Sequence, residues 1–323
     1  HAMASRVDRN ADTMNSEVNL IETITAKLPT RSDTLVGVGD DCAVIDNGPD
    51  HSILLKTDAI VEGVHFKKND PADKVGHKAL ARALSDIAAM AGEPNSALIT
   101  LGLPRDFDQQ WVETLYEGLN ATARAYDVAI VGGETVSSPE RIFCSVALTG
   151  KVGRDQAVLR KNARVRDALF VTGELGGSIE GKHLDFTPRI KEAQWLAEHF
   201  VLHSMIDLSD GLAGDLHHIC KASGVGAEVW ADYLPVSRVA RLLAKQGDAA
   251  KPAVAAALTD GEDFELLFSI DPVDAVKLKD QWREAFPETP ISCIGKIMEQ
   301  PGIHLKDEQG IRPLTWHGYD HFQ

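Results

Sequence analysis

Carboxylates beside glycine, or at the ends of predicted strands, are the residues of this chain best suited to chemistry. They occur at five places: Asp40-Asp41, Asp58, Glu134, Asp207 with Asp210, and Glu262-Asp263. Carboxylate oxygens are hard ligands that suit Mg²⁺, which uses few protein ligands and keeps coordination positions for phosphates. Glycine-rich strand ends leave backbone N–H groups free for phosphate oxygens. A single such acid is more often a turn residue or a helix cap, but together they favour a metal–phosphate site.

Asp86 is a further acidic candidate, and it lies in a predicted helix over residues 74–91. The apolar face of that helix carries Leu80, Ala83, Leu84 and Ile87. At ~100° per residue, Asp86 lies about 110° from the centre of this face. The angle fits a solvated acid on the polar flank, and it equally fits a carboxylate that points into the same crevice as the other acids.

The turn over residues 176–182 reads GGSIEGK and is close to a phosphate-binding Walker loop. His183 stands where that loop needs Ser or Thr to bind Mg²⁺, so a standard P-loop is not predicted. Gly176, Gly177 and Ser178 follow a predicted strand and are still candidates for contact with a ligand.

The elements that position these groups alternate between helix and strand, which predicts a mixed α/β fold. Strands are predicted at 34–38, 42–45, 52–55, 97–103, 128–131, 142–150, 168–172 and 265–270, and helices at 17–28, 74–91, 107–126, after Asp210 and over 236–258. The pattern restarts after a candidate hinge at 150–154. We therefore predict two domains, 17–150 and 151–323, after a residual tag or disordered arm over 1–16.

Composition narrows the class of protein. Lys plus Arg is 33 and Asp plus Glu is 48, which gives a formal charge of −15. An acidic chain is not expected to coat nucleic acid, whose phosphates bind basic surface. No apolar run is long enough to span a bilayer. The four cysteines are widely spaced and contain no C-x-x-C pair, which predicts free thiols in a reducing cytoplasm.

Seven segments carry a resemblance to a known family: GVGDDCA (37–43), KTDAIVEGVHF (56–66), ALARALSDIAAMAGEP (79–94), VGGET (131–135), IDLSDGLAGD (206–215), GEDFELLF (261–268) and WHGYDHF (316–322). In this order, over nearly the whole chain, they resemble the thiamine-monophosphate kinases. That family belongs to the superfamily of aminoimidazole ribonucleotide synthetase and selenophosphate synthetase. The resemblance implies that superfamily's two-domain α/β fold, with an N-terminal mixed sheet that pairs across a homodimer and a C-terminal α/β domain. It also implies an active site in the cleft between the domains.

The family's activity, carried over by resemblance, is phosphorylation of thiamine monophosphate by ATP and several Mg²⁺ ions. Direct in-line transfer would give thiamine diphosphate, and this reaction would be the final step of thiamine diphosphate biosynthesis. The resemblance implies neither nucleic acid nor a membrane as a partner. The matching metal positions are Asp41, Thr57, Asp58, Asp86, Glu134, Asp207 and Asp210. The matching ATP positions are Gly133, Glu134, Arg160 and Ser209, and the matching substrate positions are His65, Glu262 and Tyr319, with Trp316 as a neighbour. Asp58, Asp86 and Arg160 are the expected catalytic residues, because bringing two anions into line requires positive charge between them.

The chain departs from the family's usual pattern in four places. Lys56 replaces a small hydroxyl residue that can bind metal, and an ammonium there would replace one ion electrostatically. Glu134 stands where Asp is customary, Asp260 replaces the first glycine of Gly-Gly-Glu-Asp, and the segment 173–190 is short. Two alternatives therefore stay open: another ATP-using superfamily member, such as one acting on a purine-pathway amide, and a non-catalytic binder of nucleotide or thiamine phosphate.

Overall fold

The computed structural model describes residues 17–247 and 250–314, in which two mixed β-sheets are packed with helices. The strands of the first sheet are β1 (Thr34–Val36), β2 (Ala43–Asp46), β3 (His51–Val61), β4 (Glu93–Leu103), β5 (Ala129–Ser137) and β6 (Phe143–Gly153). Their spatial order is β1-β2-β3-β6-β4-β5. The β4–β5 pair is parallel, and the other neighbours are antiparallel. The helices of this half are α1 (Glu17–Thr25), α2 (Ala72–Ala89) and α3 (Gln109–Ala125).

The second sheet has the spatial order β13-β12-β9-β11-β7-β10-β8. Its strands are β7 (Ala168–Thr172), β8 (Leu202–Asp207), β9 (Gly226–Trp230), β10 (Leu266–Ile270), β11 (Ile291–Met298), β12 (Gly302–Asp307) and β13 (Gly310–Pro313). The helices of this half are α4 (Ile190–His199), α5 (Leu212–Ser223), α6 (Arg238–Leu243), α7 (Ala253–Thr259) and α8 (Ala275–Ala285). The predicted mixed α/β class is confirmed, while the helix predicted over 236–258 is wrong in extent, because it divides into α6 and α7.

One apolar core joins the two halves of the chain through α2. Leu84 and Ile87 of α2 belong to the same buried cluster as Leu54 of β3 and as Phe170 and Phe268 of the second sheet. The opposite face of the second sheet packs a separate core together with α5. Because side chains alternate along a strand, β7 supplies both cores, with Phe170 on one face and its neighbours on the other. Helix α2 therefore packs against both the first and the second sheet.

Two strands extend further than the sequence pattern predicts, and this changes where acids lie. β3 continues through Val61, so Lys56, Thr57 and Asp58 lie inside the strand and do not follow it. β5 likewise continues past Glu134. The reason is pairing: β6 forms an unbroken ladder with β3 from His51 to Val61, and backbone hydrogen bonds do not depend on side-chain polarity.

Some of the other sequence predictions concern chain limits and environment. β6 runs to Gly153, through the predicted domain boundary at residue 150, and that boundary stays a prediction. The predicted arm 1–16 and the aromatic segment 316–322 lie outside the described residues. All four cysteines are free. Within the described ranges, no helix combines the length and apolarity that a bilayer crossing requires.

Candidate active site

Three buried aspartates from separate parts of the chain meet at one point. Asp41 lies in the loop before β2, Asp86 lies near the end of α2, and Asp207 is the last residue of β8. One carboxylate oxygen from each lies within 4.8 Å of the other two. Counted over the whole residue, none of the three has more than 6% of its surface exposed. This acidic cluster lies where the first half of the chain meets the second.

The position of Asp86 resolves the choice that helical periodicity left open. Helix α2 is buried around most of its circumference, since both halves of the chain pack against it. The flank that carries Asp86 therefore faces protein and not solvent. The carboxylate points at Asp41 and Asp207.

Two cations and one hydroxyl bind the acidic cluster. Lys56 Nζ donates to Asp86 Oδ1 at 2.7 Å, and Arg160 Nε donates to Asp41 Oδ1 at 3.2 Å. Ser85 Oγ donates to Asp207 Oδ2 at 2.6 Å. The other oxygen of Asp41, Oδ2, is buried and has no hydrogen-bond partner among the described residues. A buried, unpartnered carboxylate oxygen is costly unless a cation or a proton satisfies it.

Burial raises the pKa values of Asp86, Asp207 and the neighbouring Asp40, because a charged carboxylate is poorly solvated there. Burial and then the charge of Asp41 raise the pKa of Asp207 to about 7, against the opposing effects of Ser85 and the nearby cations. Burial also raises the pKa of Asp86, although Lys56 opposes it. For Asp40, burial followed by the charge of Asp41 raises the pKa to about 6. These acids repel one another at close range, so the arrangement favours binding of additional positive charge.

A second charged network surrounds Glu262. Its carboxylate lies 2.8 Å from Lys78 Nζ, 3.5 Å from Arg82 Nη1 and 3.4 Å from His183 Nδ1. Lys78 is fully buried and also donates to the backbone oxygen of His65 at 2.6 Å. Burial raises the pKa of Glu262, but hydrogen bonds from His183 and Lys78 and the charges of Lys78 and Arg82 outweigh it and lower the pKa to about 2. The carboxylate is therefore ionised at neutral pH.

The loop that carries Glu262 is clamped against the segment after β8. The N–H of Glu262 donates to Ser209 O at 2.7 Å, and the N–H of Phe264 donates to Leu208 O at 2.8 Å. Glu262 and Phe264 have φ values of +63° and +50°, a region that side chains other than glycine rarely adopt. A Cβ on Gly261 would lie 2.7 Å from Ser209 O, so this position requires glycine. The surrounding contacts hold strained backbone in place, as is common at ligand sites.

Comparison with known proteins gives the family. Models of AIR synthase related proteins match residues 39–152 with the N-terminal domain and residues 150–307 with the C-terminal domain. Thiamine-monophosphate kinase of Rhodopirellula baltica is 37% identical over 277 residues, which cover 83% of this chain and 85% of the relative. The enzyme of the same name from Salmonella typhimurium is 34% identical and covers 91% of this chain and 94% of the relative. The chain belongs to the thiamine-monophosphate kinase family.

Solved structures agree with that assignment. AaThiL complexed with AMPPCP and TMP matches with a TM-score of 0.81 and 30% identity, and the match covers 99% of this chain and 100% of the other. Thiamine-monophosphate kinase from Stenotrophomonas maltophilia has a TM-score of 0.71 and 33% identity, covering 88% and 95% of the two chains. HypE of E. coli, a hydrogenase maturation protein, has a TM-score of 0.70 at 19% identity and shares the fold alone. The resemblance and the two-domain fold predicted from the sequence are confirmed.

Asp58 and Thr57, two metal positions predicted for a thiamine-monophosphate kinase, lie on opposite faces of β3. Asp58 shares a face with Lys56 and lies 3.9 Å from Arg82, between the acidic cluster and the Glu262 network. Burial lowers the pKa of Lys56, but the charges of Asp86 and Asp58 outweigh the effect of burial and raise this pKa overall. Thr57 is exposed on the other face, so its side chain does not join the acidic cluster.

Glu134 and Gly133, predicted to contact metal or ATP, lie apart from the acidic cluster in this chain. Both are exposed on β5, the edge strand of the first sheet. Across the sheet, Glu134 pairs with Thr100 of β4, and the same row of paired residues ends on β3 at the neighbour of Asp58. Three strand spacings, about 14 Å, therefore separate the backbone at Glu134 from β3. A Cβ on Gly133 would lie 1.8 Å from Ile99 O, so strand pairing already requires this glycine. The ligand roles of Glu134 and Gly133 stay predictions.

The segment after β8 brings its predicted residues next to both networks. The backbone oxygen of Ser209 accepts a hydrogen bond from the N–H of Glu262. The N–H of Asp210 donates to Asp215 Oδ2 at 3.1 Å. Asp215 is buried in the first turn of α5, and burial followed by the charge of Asp210 raises its pKa. Asp215 thus fixes the backbone of a predicted metal position, and sequence reasoning did not assign it a role.

The substrate positions predicted from the sequence are partly described. His65 Nδ1 accepts from the N–H of Val61 at 3.1 Å, which assigns the ring proton to Nε2 in the neutral form. Tyr319 and Trp316 lie outside the described residues. Lys78 and Arg82 were missed, although they and Asp86 follow one another at four-residue spacing along one side of α2.

The glycine turn at 176–178 binds protein carboxylates. The N–H of Gly176 donates to both oxygens of Asp263 at 3.1 Å, and Ser178 Oγ also donates to Asp263. The N–H of Gly177 donates to Asp260 Oδ2 at 2.8 Å. These backbone donors, which the Walker-like spacing made candidates for a phosphate, are already engaged.

Proposed function

We propose that this protein uses ATP and Mg²⁺ to phosphorylate thiamine monophosphate, forming thiamine diphosphate by direct in-line transfer. The observation that carries the proposal is the buried cluster of Asp41, Asp86 and Asp207 beside a cationic network, with one carboxylate oxygen that no described residue hydrogen-bonds. Proteins named thiamine-monophosphate kinase match this chain along nearly its whole length. A matching structure is complexed with AMPPCP, an ATP analogue, and with TMP.

The acidic cluster fits Mg²⁺. Asp41, Asp58, Asp86 and Asp207 would hold it, because hard oxygen ligands suit this ion and the Oδ2 atom of Asp41, which lacks a partner within the described part of the chain, needs a cation. When bound, Mg²⁺ supplies the positive charge that offsets repulsion between the donor and acceptor phosphates.

The chain's own residues supply charge and orientation. The acceptor is a phosphate oxygen that is already ionised at neutral pH, so no strong general base is required. We assign Arg160 to a nucleotide phosphate, because its guanidinium is permanently charged and forms paired hydrogen bonds. We assign the Glu262 network to thiamine monophosphate. Glu262, Lys78 and Arg82 together carry one net positive charge, which complements the phosphate of that substrate.

We also infer a homodimer that forms through the edge strand β5. Eight of the nine residues of this strand are exposed, Ile130 being half-buried, and Val131 is 63% exposed. A long exposed edge with apolar side chains is a site for pairing with another chain. Light scattering of the purified protein tests this inference, since a monomeric mass would contradict it. A cytoplasmic location is proposed from the four free thiols.

The test of the activity is a direct assay of product. Purified protein is incubated with ATP and thiamine monophosphate, with and without Mg²⁺, and thiamine diphosphate and ADP are measured. We expect equal amounts of both products with Mg²⁺ and neither without it. Asp58→Asn is expected to abolish turnover while the circular dichroism spectrum stays unchanged, and a near-normal rate at saturating Mg²⁺ would refute the metal role of Asp58.

Two other outcomes separate the alternatives. ADP formation with formylglycinamidine ribonucleotide, and none with thiamine monophosphate, would assign the chain to a purine-pathway reaction. Binding of ATP and thiamine monophosphate without product would make it a non-catalytic binder.

A further inference from the structure

Lys56 introduces a fixed positive charge into the acidic cluster. Its ammonium lies 2.7 Å from Asp86 Oδ1, and its side chain is 21% exposed while that of Asp86 is 9% exposed. Asp58 lies two residues further along β3 and therefore on the same face. The ammonium thus lies beside carboxylates that are candidates for metal binding.

Charge balance shows what this ammonium does. Asp40, Asp41, Asp58, Asp86 and Asp207 carry five negative charges when ionised, and Lys56, Arg160 and Arg82, which lies 3.9 Å from Asp58, return three positive ones. Two negative charges remain, which one divalent ion neutralises. If residue 56 were uncharged, three would remain, and the oxygen of Asp86 that Lys56 now occupies would be free for a further ion.

We propose that Lys56 takes the place of one divalent cation at Asp86, so that this chain binds one ion fewer than the same site would with a small neutral residue at position 56. This inference rests on the proposed function only through the metal site itself. A lysine ammonium is compact and carries its own charge, so it neutralises a carboxylate without a free ion in solution. The site then keeps part of its positive charge when Mg²⁺ is scarce.

The experiment counts bound Mn²⁺, used in place of Mg²⁺, from the loss of the free-ion signal in electron paramagnetic resonance. Lys56→Ser removes the charge and opens space, so we expect one more Mn²⁺ bound per chain than in the unmodified protein. Lys56→Arg keeps the charge and is expected to keep the original number. The matched control is Lys151→Ser, which removes a strand lysine that pairs with Glu93 at 3.1 Å on the surface. It should change nothing.

A further variant covers the case in which Lys56→Ser does not fold. Lys56→Gln keeps the length of the side chain, and loss of the nearby positive charge should lower the half-saturating Mn²⁺ concentration on the order of tenfold. An unchanged count in folded Lys56→Ser, or an unchanged half-saturation in Lys56→Gln, overturns the inference. If the unmodified protein binds no Mn²⁺, the proposed metal-dependent function fails as well. If it binds Mn²⁺ and the variants behave identically, only the role of Lys56 fails.

Discussion

Substitution of Glu262 by Gln should destabilise the protein by about 3 kcal/mol at pH 7. Lys78 is fully buried, and Glu262 is its anionic partner at 2.8 Å. Although burial raises the pKa of Glu262, contacts with His183, Lys78 and Arg82 lower it from an ordinary 4.5 to about 2. Each pKa unit corresponds to about 1.4 kcal/mol, so the ionised form contributes roughly 3 kcal/mol. Removal of one partner from a buried ion pair typically costs about 3–5 kcal/mol, which agrees.

The pH dependence of the destabilisation distinguishes this effect from a loss of packing. A carboxyl group with a lowered pKa stabilises the folded state above its unfolded pKa, and that contribution disappears as pH falls toward the folded pKa. The free-energy difference between the unmodified protein and Glu262→Gln should therefore be constant above about pH 5.5 and fall to about 2 kcal/mol at pH 3.5. Urea unfolding followed by tryptophan fluorescence at several pH values measures it.

The matched control is Glu93→Gln, which removes an acid from an exposed pair with Lys151 at 3.1 Å. Such surface pairs contribute about 0–1 kcal/mol, so little change is expected at any pH. The reasoning is refuted if Glu262→Gln costs no more than this control. That result would mean that His65 O and His183 satisfy Lys78 without the charge of Glu262.

Two more predictions concern the acidic cluster and the edge strand. Because burial raises the pKa of Asp207 to about 7, a proton competes with a cation below that pH, and Mg²⁺ should bind about tenfold more weakly at pH 6 than at pH 8. The rise in melting temperature on adding Mg²⁺ should accordingly be larger at pH 8 than at pH 6. Equal rises at both pH values in the unmodified protein would contradict this prediction. So would a pH dependence in Asp207→Asn that is as large as in the unmodified protein. Gly133→Ala should cost about 1–3 kcal/mol in urea unfolding, because its Cβ would lie 1.8 Å from Ile99 O. Gly132→Ala, whose Cβ would meet only the side chain of Leu98 at 3.3 Å, is the control, and equal losses in the two variants would show that strand pairing does not select Gly133.

The local pattern of the sequence predicts most elements near the site. Helix α2 was predicted over 74–91 and is found over Ala72–Ala89, since apolar spacing and the following Gly92 mark it clearly. The full lengths of β3 and β5 could not be predicted, because polar residues interrupt the apolar pattern. Their hydrogen bonds come from partner strands that are distant in the sequence.

The acidic site shows the same division between local and distant information. The residue types alone indicate that carboxylates, and therefore cations, are central to this protein, and the order of the motifs indicates its family. Only the packing of α2 between the two halves decides that Asp86 meets Asp41 and Asp207. Packing also decides that Lys56 contacts Asp86 and that Glu134 lies about 14 Å across the sheet from the part of β3 that carries Asp58. Composition and spacing are properties of neighbouring residues, whereas burial and electrostatic contact depend on segments far apart in the chain.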